Sequence, residues 1–247
     1  MAFIINCPGG VLRPRLGFSL FVLFGMIFLL GLGGWQLQRM AWKQALIAKI
    51  TERMAAEPVP LPLAPEDPTA FDYRRVTVSG TFLHDHEIFL AARDVRYSVY
   101  GIQILTPLET PEGQFVLVSR GWVPNEKKPA ATRVDGQTSG VVTVTGIARL
   151  PRARGWLIPD NSPDRNFWLW VDLPAMAQFA AVPGFAPLLV EADATANSGG
   201  YPVGGQTRVR FPDNHSVYAI IWFALALALL VIGFIKAWEP ERKKTDG

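Results

Sequence analysis

Leu16–Gln38 reads LGFSLFVLFGMIFLLGLGGWQLQ, about 23 residues without a charge, closed by Arg15 on one side and Arg39 on the other. A helix rises about 1.5 Å per residue, so roughly 20 apolar residues cross the ~30 Å of hydrocarbon in a bilayer. A second stretch of the same kind, Ser216–Ile235 (SVYAIIWFALALALLVIGFI), lies between His215 and Lys236. Together they predict two transmembrane helices, 16–38 and 215–236, flanking everything else. Thirteen residues of the first run are Leu, Ile, Phe or Val. Their transfer favours insertion by roughly 4–8 kcal/mol. The apolar region is too long for a signal peptide, and Trp35-Gln36-Leu37-Gln38-Arg39 stands where a small-residue cleavage site would be, so an anchor is expected.

Outward from the spans, the flanks 1–15 and 237–247 are short and, with Lys236, basic: Arg13, Arg15, Arg242, Lys243 and Lys244. Basic flanks favour the cytoplasmic side, although Arg39, Lys43, Lys49, Arg53, Arg208 and Arg210 weaken the contrast. The expected topology has both termini cytoplasmic and the central segment periplasmic. A flank of about 15 residues leaves no room for a transit peptide, so a bacterial inner membrane is the simpler location. The remaining composition agrees: 49% of the 247 residues are hydrophobic, only 18% are charged, and mean hydropathy is +0.19. A net charge of +3, without basic blocks interleaved with aromatics, argues against a nucleic-acid partner. One cysteine, Cys7, excludes an internal disulfide, a CxxC pair and covalent CxxCH haem attachment.

Between the spans the periodicity changes twice. Helical spacing of apolar residues continues through 39–57 as a membrane-proximal extension, then stops at a proline-rich linker, 58–70. From 71 to 214 the period is two. Arg75–Phe82, Glu87–Leu90, Tyr100–Leu105, Gln114–Ser119, Val141–Ile147, Phe167–Val171, Leu188–Val190 and Thr207–Phe211 predict short strands. One helix is expected over Leu173–Ala181, capped by Asp172. Many short strands with one short helix predict an antiparallel β-rich barrel or sandwich, α+β overall, between two transmembrane helices.

This domain shows no nucleophile motif, HExxH or phosphate-cradling glycine loop, so no enzyme is expected. His84-Asp85-His86 has metal-compatible spacing on a strand, but such a trio at a strand end also reads as a polar turn. At the outer border of the spans, Tyr218 and Trp222 follow His215 at i+3 and i+7. Trp35, Arg39 and Trp42 follow one another at i, i+4 and i+7, with Lys43 beside them. An imidazole, aromatic rings and cations are the parts of a non-covalent haem site, with His215 on the iron and Arg39 and Lys43 on the propionates. The same residues also make an ordinary interfacial aromatic belt with snorkelling cations.

A set of ordered blocks bears on that choice. Leu32-Gly33-Gly34-Trp35-Gln36-Leu37-Gln38-Arg39, Tyr73-Arg74-Arg75-Val76, Val118-Ser119-Arg120-Gly121-Trp122-Val123-Pro124, Ile158-Pro159-Asp160-Asn161, Pro202-Val203-Gly204-Gly205-Gln206 and Asn214-His215-Ser216-Val217-Tyr218-Ala219 resemble the surfeit-locus family of cytochrome c oxidase assembly factors, in its bacterial form. The resemblance implies a non-enzymatic factor that binds haem a and supports its insertion into the oxidase catalytic subunit, in contact with membrane lipid and the haem a synthesis machinery. It makes the histidine opening the second span, His215, the candidate iron ligand. A scaffold without haem, stabilising an assembly intermediate, is the alternative. The resemblance assigns no role to His84 or His86, and Arg120-Gly121 and Gly204-Gly205 read as fold determinants.

Overall fold

The computed structural model describes residues 5–7, 10–13, 15–209 and 214–240. Arg210, Phe211, Arg242, Lys243 and Lys244, which entered the strand and charge readings above, lie outside the described residues. Two compact units emerge, one from Met1–Ala48 with Arg210–Gly247 and the other Lys49–Val209.

The first unit contains the apolar helices. Helix α1 covers Leu16–Ala55 and helix α3 covers His215–Ala237. In the most apolar window of each, only 6% and 11% of residues are buried, so neither is the core helix of a soluble domain. The flanks contribute a small antiparallel sheet of β1 (Ile5–Cys7), β2 (Gly10–Leu12) and β10 (Trp238–Pro240), in the order β1-β2-β10. Short basic flanks gave no signal of this sheet.

The second unit is built on seven strands: β3 (Val59–Pro60), β4 (Arg75–Phe82), β5 (Ile88–Arg93), β6 (Tyr100–Glu109), β7 (Phe115–Val123), β8 (Val141–Arg149) and β9 (Leu189–Ala192). They run β3-β4-β8-β9-β7-β6-β5, and β4 also pairs with β6 through Thr81–Glu109 and Phe82–Leu108. That extra pairing closes β4, β8, β9, β7 and β6 into a five-stranded barrel, which removes the sheet edges a flat arrangement would expose. The expectation of an antiparallel sheet needs one correction, since β3–β4 and β7–β9 pair in parallel. The proline-rich stretch is correspondingly part of the sheet: Val59 and Pro60 form β3, and Leu61 is buried.

Alternation explains which residues fill the barrel. Val76 and Val78 of β4, Leu108 of β6, Val116 and Val118 of β7 and Val190 of β9 form one buried cluster. Leu117 points the other way, into a second cluster with Ile88, Leu105, Trp168 and Met176. There α2 (Leu173–Phe179) covers the outer face, and Asp172 caps it by accepting from Ala175 N–H at 3.2 Å. The Phe167–Val171 segment forms only isolated bridges, Leu90–Trp168 and Ser162–Phe167, and Trp168 is fully buried in the core. Thr207–Val209 carry no strand pairing.

Candidate functional site

Helices α1 and α3 meet along residues spaced alternately three and four apart. On α3 these are His215, Ala219, Trp222 and Ala226, with Ala219 and Ala226 buried. On α1 they include Gly33 and Gln36. A Cβ on Gly33 would fall 2.7 Å from the Phe223 ring, so α1 presents bare backbone there to an aromatic of α3. Three residues further on, Gln36 is buried, and its Oε1 accepts a hydrogen bond from His215 Nδ1–H at 2.7 Å.

This contact has two consequences. A buried side-chain amide beside the apolar run would be costly if unsatisfied, and the imidazole satisfies it. An amide oxygen only accepts, so Nδ1 is the protonated, donating nitrogen, and in a neutral imidazole the lone pair is then on Nε2. Metal-binding imidazoles are oriented in this way, one nitrogen donating to an oxygen while the other is the ligand atom.

The seven residues expected at the site divide into two groups. His215 and Trp222 share the helix-packing stripe, and the buried Trp222 indole N–H has no hydrogen-bond partner among the described residues. Lys43 lies on the stripe of Gln36, two turns further along α1. Tyr218, half exposed, lies beside the stripe of His215. Trp35, Arg39 and Trp42 occupy a separate stripe of α1, about 90° round from Gln36. Trp35 and Trp42 are more than half exposed, and the Arg39 guanidinium lies 4.2 Å over the Trp42 ring. The structure does not bring those three to His215. Gln36 is the residue that sequence reasoning missed. Its signal was present as an amide one turn beyond Gly33 at the end of an apolar run, where polar side chains carry a cost.

In the β unit, His84–His86 is a single 3₁₀ turn rather than a strand presenting two imidazoles. No group of three or more His, Cys, Asp or Glu placed to hold a metal occurs among the described residues. His84 Nε2–H donates to Thr138 O at 3.0 Å, and its Nδ1 accepts from Arg120 Nη1 at 3.4 Å. Burial pushes the His84 imidazole below its ordinary value, and the nearby Arg120 and Arg133 charges add to this against Glu87. Glu87 is itself buried and receives both arms of the Arg133 guanidinium, one at 2.8 Å. Arg120 approaches the same carboxylate at 3.9 Å and lies 4.8 Å over the Phe82 ring, and burial lowers it to about 10. A bulge places it there: Ile104 pairs with Gly121 and Leu105 with Ser119, leaving Arg120 as the extra residue. The cluster is a structural clamp around one carboxylate.

Comparison with known proteins completes the picture. The profile of the SURF1 family matches residues 23–227, a span that includes Gln36, His215 and Trp222. Surfeit locus protein 1 of Mus musculus is 38% identical over 220 residues, 83% of this chain and 71% of that protein. The Homo sapiens protein of the same name is 37% identical over 221 residues, 83% and 73% of the two chains. A SURF1-like protein of Monosiga brevicollis is 36% identical over 213 residues, 82% and 80%. All three are eukaryotic, and none carries the name of an enzyme. With two apolar helices around a β-rich unit, and with matches of this extent, the chain belongs to the SURF1 family.

Proposed function

We propose that this protein is a non-enzymatic assembly factor that holds haem a at the membrane and supports its insertion into the catalytic subunit of cytochrome c oxidase. The observation that carries the reading is the His215–Gln36 hydrogen bond. It orients the imidazole through Nδ1, and Nε2 is the nitrogen proposed to hold the iron. The site fits an iron porphyrin in two further respects: the buried Trp222 N–H, on the stripe of His215, has no partner among the described residues, and the surrounding helices are apolar. When bound, the haem would supply an iron with affinity for imidazole and an apolar body suited to lipid.

The work of the chain's own residues follows. His215 holds the iron through Nε2, Gln36 holds the ring, Trp222 donates to an acceptor on the ligand, and the helix pair excludes water. A propionate role is assigned to Lys43, on the stripe of Gln36, and to Arg39, whose guanidinium lies over the Trp42 ring. The proposed setting is a bacterial inner membrane with the β unit periplasmic, both termini cytoplasmic, and lipid, the oxidase catalytic subunit and the haem a synthesis machinery as partners. A second reading, a scaffold without haem that steadies an oxidase intermediate, is favoured by the outward stripe of Trp35, Arg39 and Trp42, which suits an interfacial belt.

The test is purification after co-expression with haem a synthesis. The native protein is expected to carry a Soret band and His215→Ala to lose it while keeping its expression. A His215→Ala protein with an unchanged spectrum contradicts the proposal, and colourless native protein that still retains the oxidase subunit supports the scaffold.

A further inference from the structure

A pocket of about 330 Å³ opens on the β unit, lined by Arg93, Arg149, Arg152, Arg208, Glu191 and Gln206, among others. Four arginines and one glutamate thus line it. The partners that hold the arginines in place are mostly uncharged. Arg152 Nη2 donates to Tyr73 OH at 2.8 Å, Arg93 donates to Tyr100 OH and stacks 3.8 Å over that ring, and Arg208 donates to the Arg93 carbonyl. Arg149 stacks 3.6 Å over the Tyr73 ring. Its Nη1 lies 3.2 Å from Asp72 Oδ1 but is not aligned to donate, and it is buried without a hydrogen-bond partner among the described residues. Asp94, behind the pocket, is engaged by the N–H groups of Arg96 and Tyr97 and by Gln206 Nε2. Glu191 Oε2 is likewise buried without a partner among the described residues, and burial pushes its carboxyl up, which favours the uncharged form.

Four arginines are therefore concentrated in one concavity, and of these Arg149 is also ion-paired with Asp72 while Arg93, Arg152 and Arg208 are held by the uncharged partners named above. Guanidiniums in that state select planar or tetrahedral oxyanions, to which they donate charge-assisted hydrogen bonds. The volume lies at the small end of ligand pockets. We propose that this pocket binds a small oxyanion, a phosphate or polycarboxylate, either free or borne on a lipid headgroup. The site is independent of the haem reading and uses none of its residues.

The experiment is calorimetric titration of the purified full chain in detergent with inorganic phosphate and with citrate. It is repeated in nanodiscs of phosphatidylcholine with and without phosphatidylglycerol. Arg152→Gln and Arg208→Gln alter exposed side chains, so folding is preserved, and each is expected to weaken binding about tenfold. Glu191→Gln fixes the uncharged form of that wall and is expected to bind no more weakly than the native protein; weaker binding in this variant counts against the anion site. Saturable phosphate or citrate binding with this pattern supports a free anion. Competition by phosphatidylglycerol, lost in the same arginine variants, supports a headgroup. Absence of saturable binding in every arm, or binding that both arginine variants leave unchanged, overturns the proposal.

Discussion

At the scale of single residues, one hydrogen bond organises the helix-pair site. If Gln36 sets the tautomer of His215, Gln36→Leu should leave the chain folded and lower haem affinity roughly 10–100-fold, as loss of an outer-shell partner does. Titration of haem into the apo-protein reads this directly. His84 gives a prediction of different kind. Its folded-state value lies below the ordinary 6.5, so as pH falls through about 6.5 the unfolded chain takes up a proton that the folded chain refuses. Stability should therefore decline from pH 7 toward pH 5, and His84→Gln should flatten that decline in urea titrations. His215 was legible in the sequence from its place at the start of an apolar run. Gln36 was visible but overlooked, because a single amide in a helix declares its partner only when the second helix is in place. The clamp of Glu87, Arg120 and Arg133 was not legible, since the carboxylate is far in sequence from both arginines and meets them only when β5, β7 and the following turns assemble.

Among the elements, the helices were written plainly. Length and apolarity fix them, and the close approach at Gly33 fixes how they pack. Gly33→Leu should force the Phe223 ring aside and destabilise the detergent-solubilised protein by about 1–3 kcal/mol, with partial rescue in Gly33→Leu/Phe223→Ala. Thermal unfolding of the single and double variants measures the coupling. Strands β4, β6 and β8 followed from period-two alternation, and α2 from its Asp172 cap. In the Phe167–Val171 segment only Trp168 pairs with β5, through Ala91 N–H to its carbonyl and its own N–H to Phe89 O, so the segment makes a bridge and not a strand. Pairing partners were beyond the reach of alternation, which states the face of a residue but not its neighbour. The parallel β7–β9 pair and the bulge at Arg120 are products of barrel closure.

For the whole molecule, the sequence announced two apolar helices around a β-rich unit, and the closed ring of five strands specifies what barrel or sandwich left open. Integrity of that unit depends on the buried clamp. Glu87→Ala would leave Arg133 and Arg120 buried without their carboxylate, and a loss of about 3–5 kcal/mol is expected in denaturant unfolding followed by tryptophan fluorescence. The function proposed for the molecule turns on pigment held between helices rather than on chemistry in the barrel. The most direct measurement is the visible spectrum of the full chain purified from cells with and without haem a synthesis. A Soret band is expected only where haem a is made, and none in the His215→Ala protein from those same cells; a colourless native protein, or an identical band in that variant, would rule out haem held by His215.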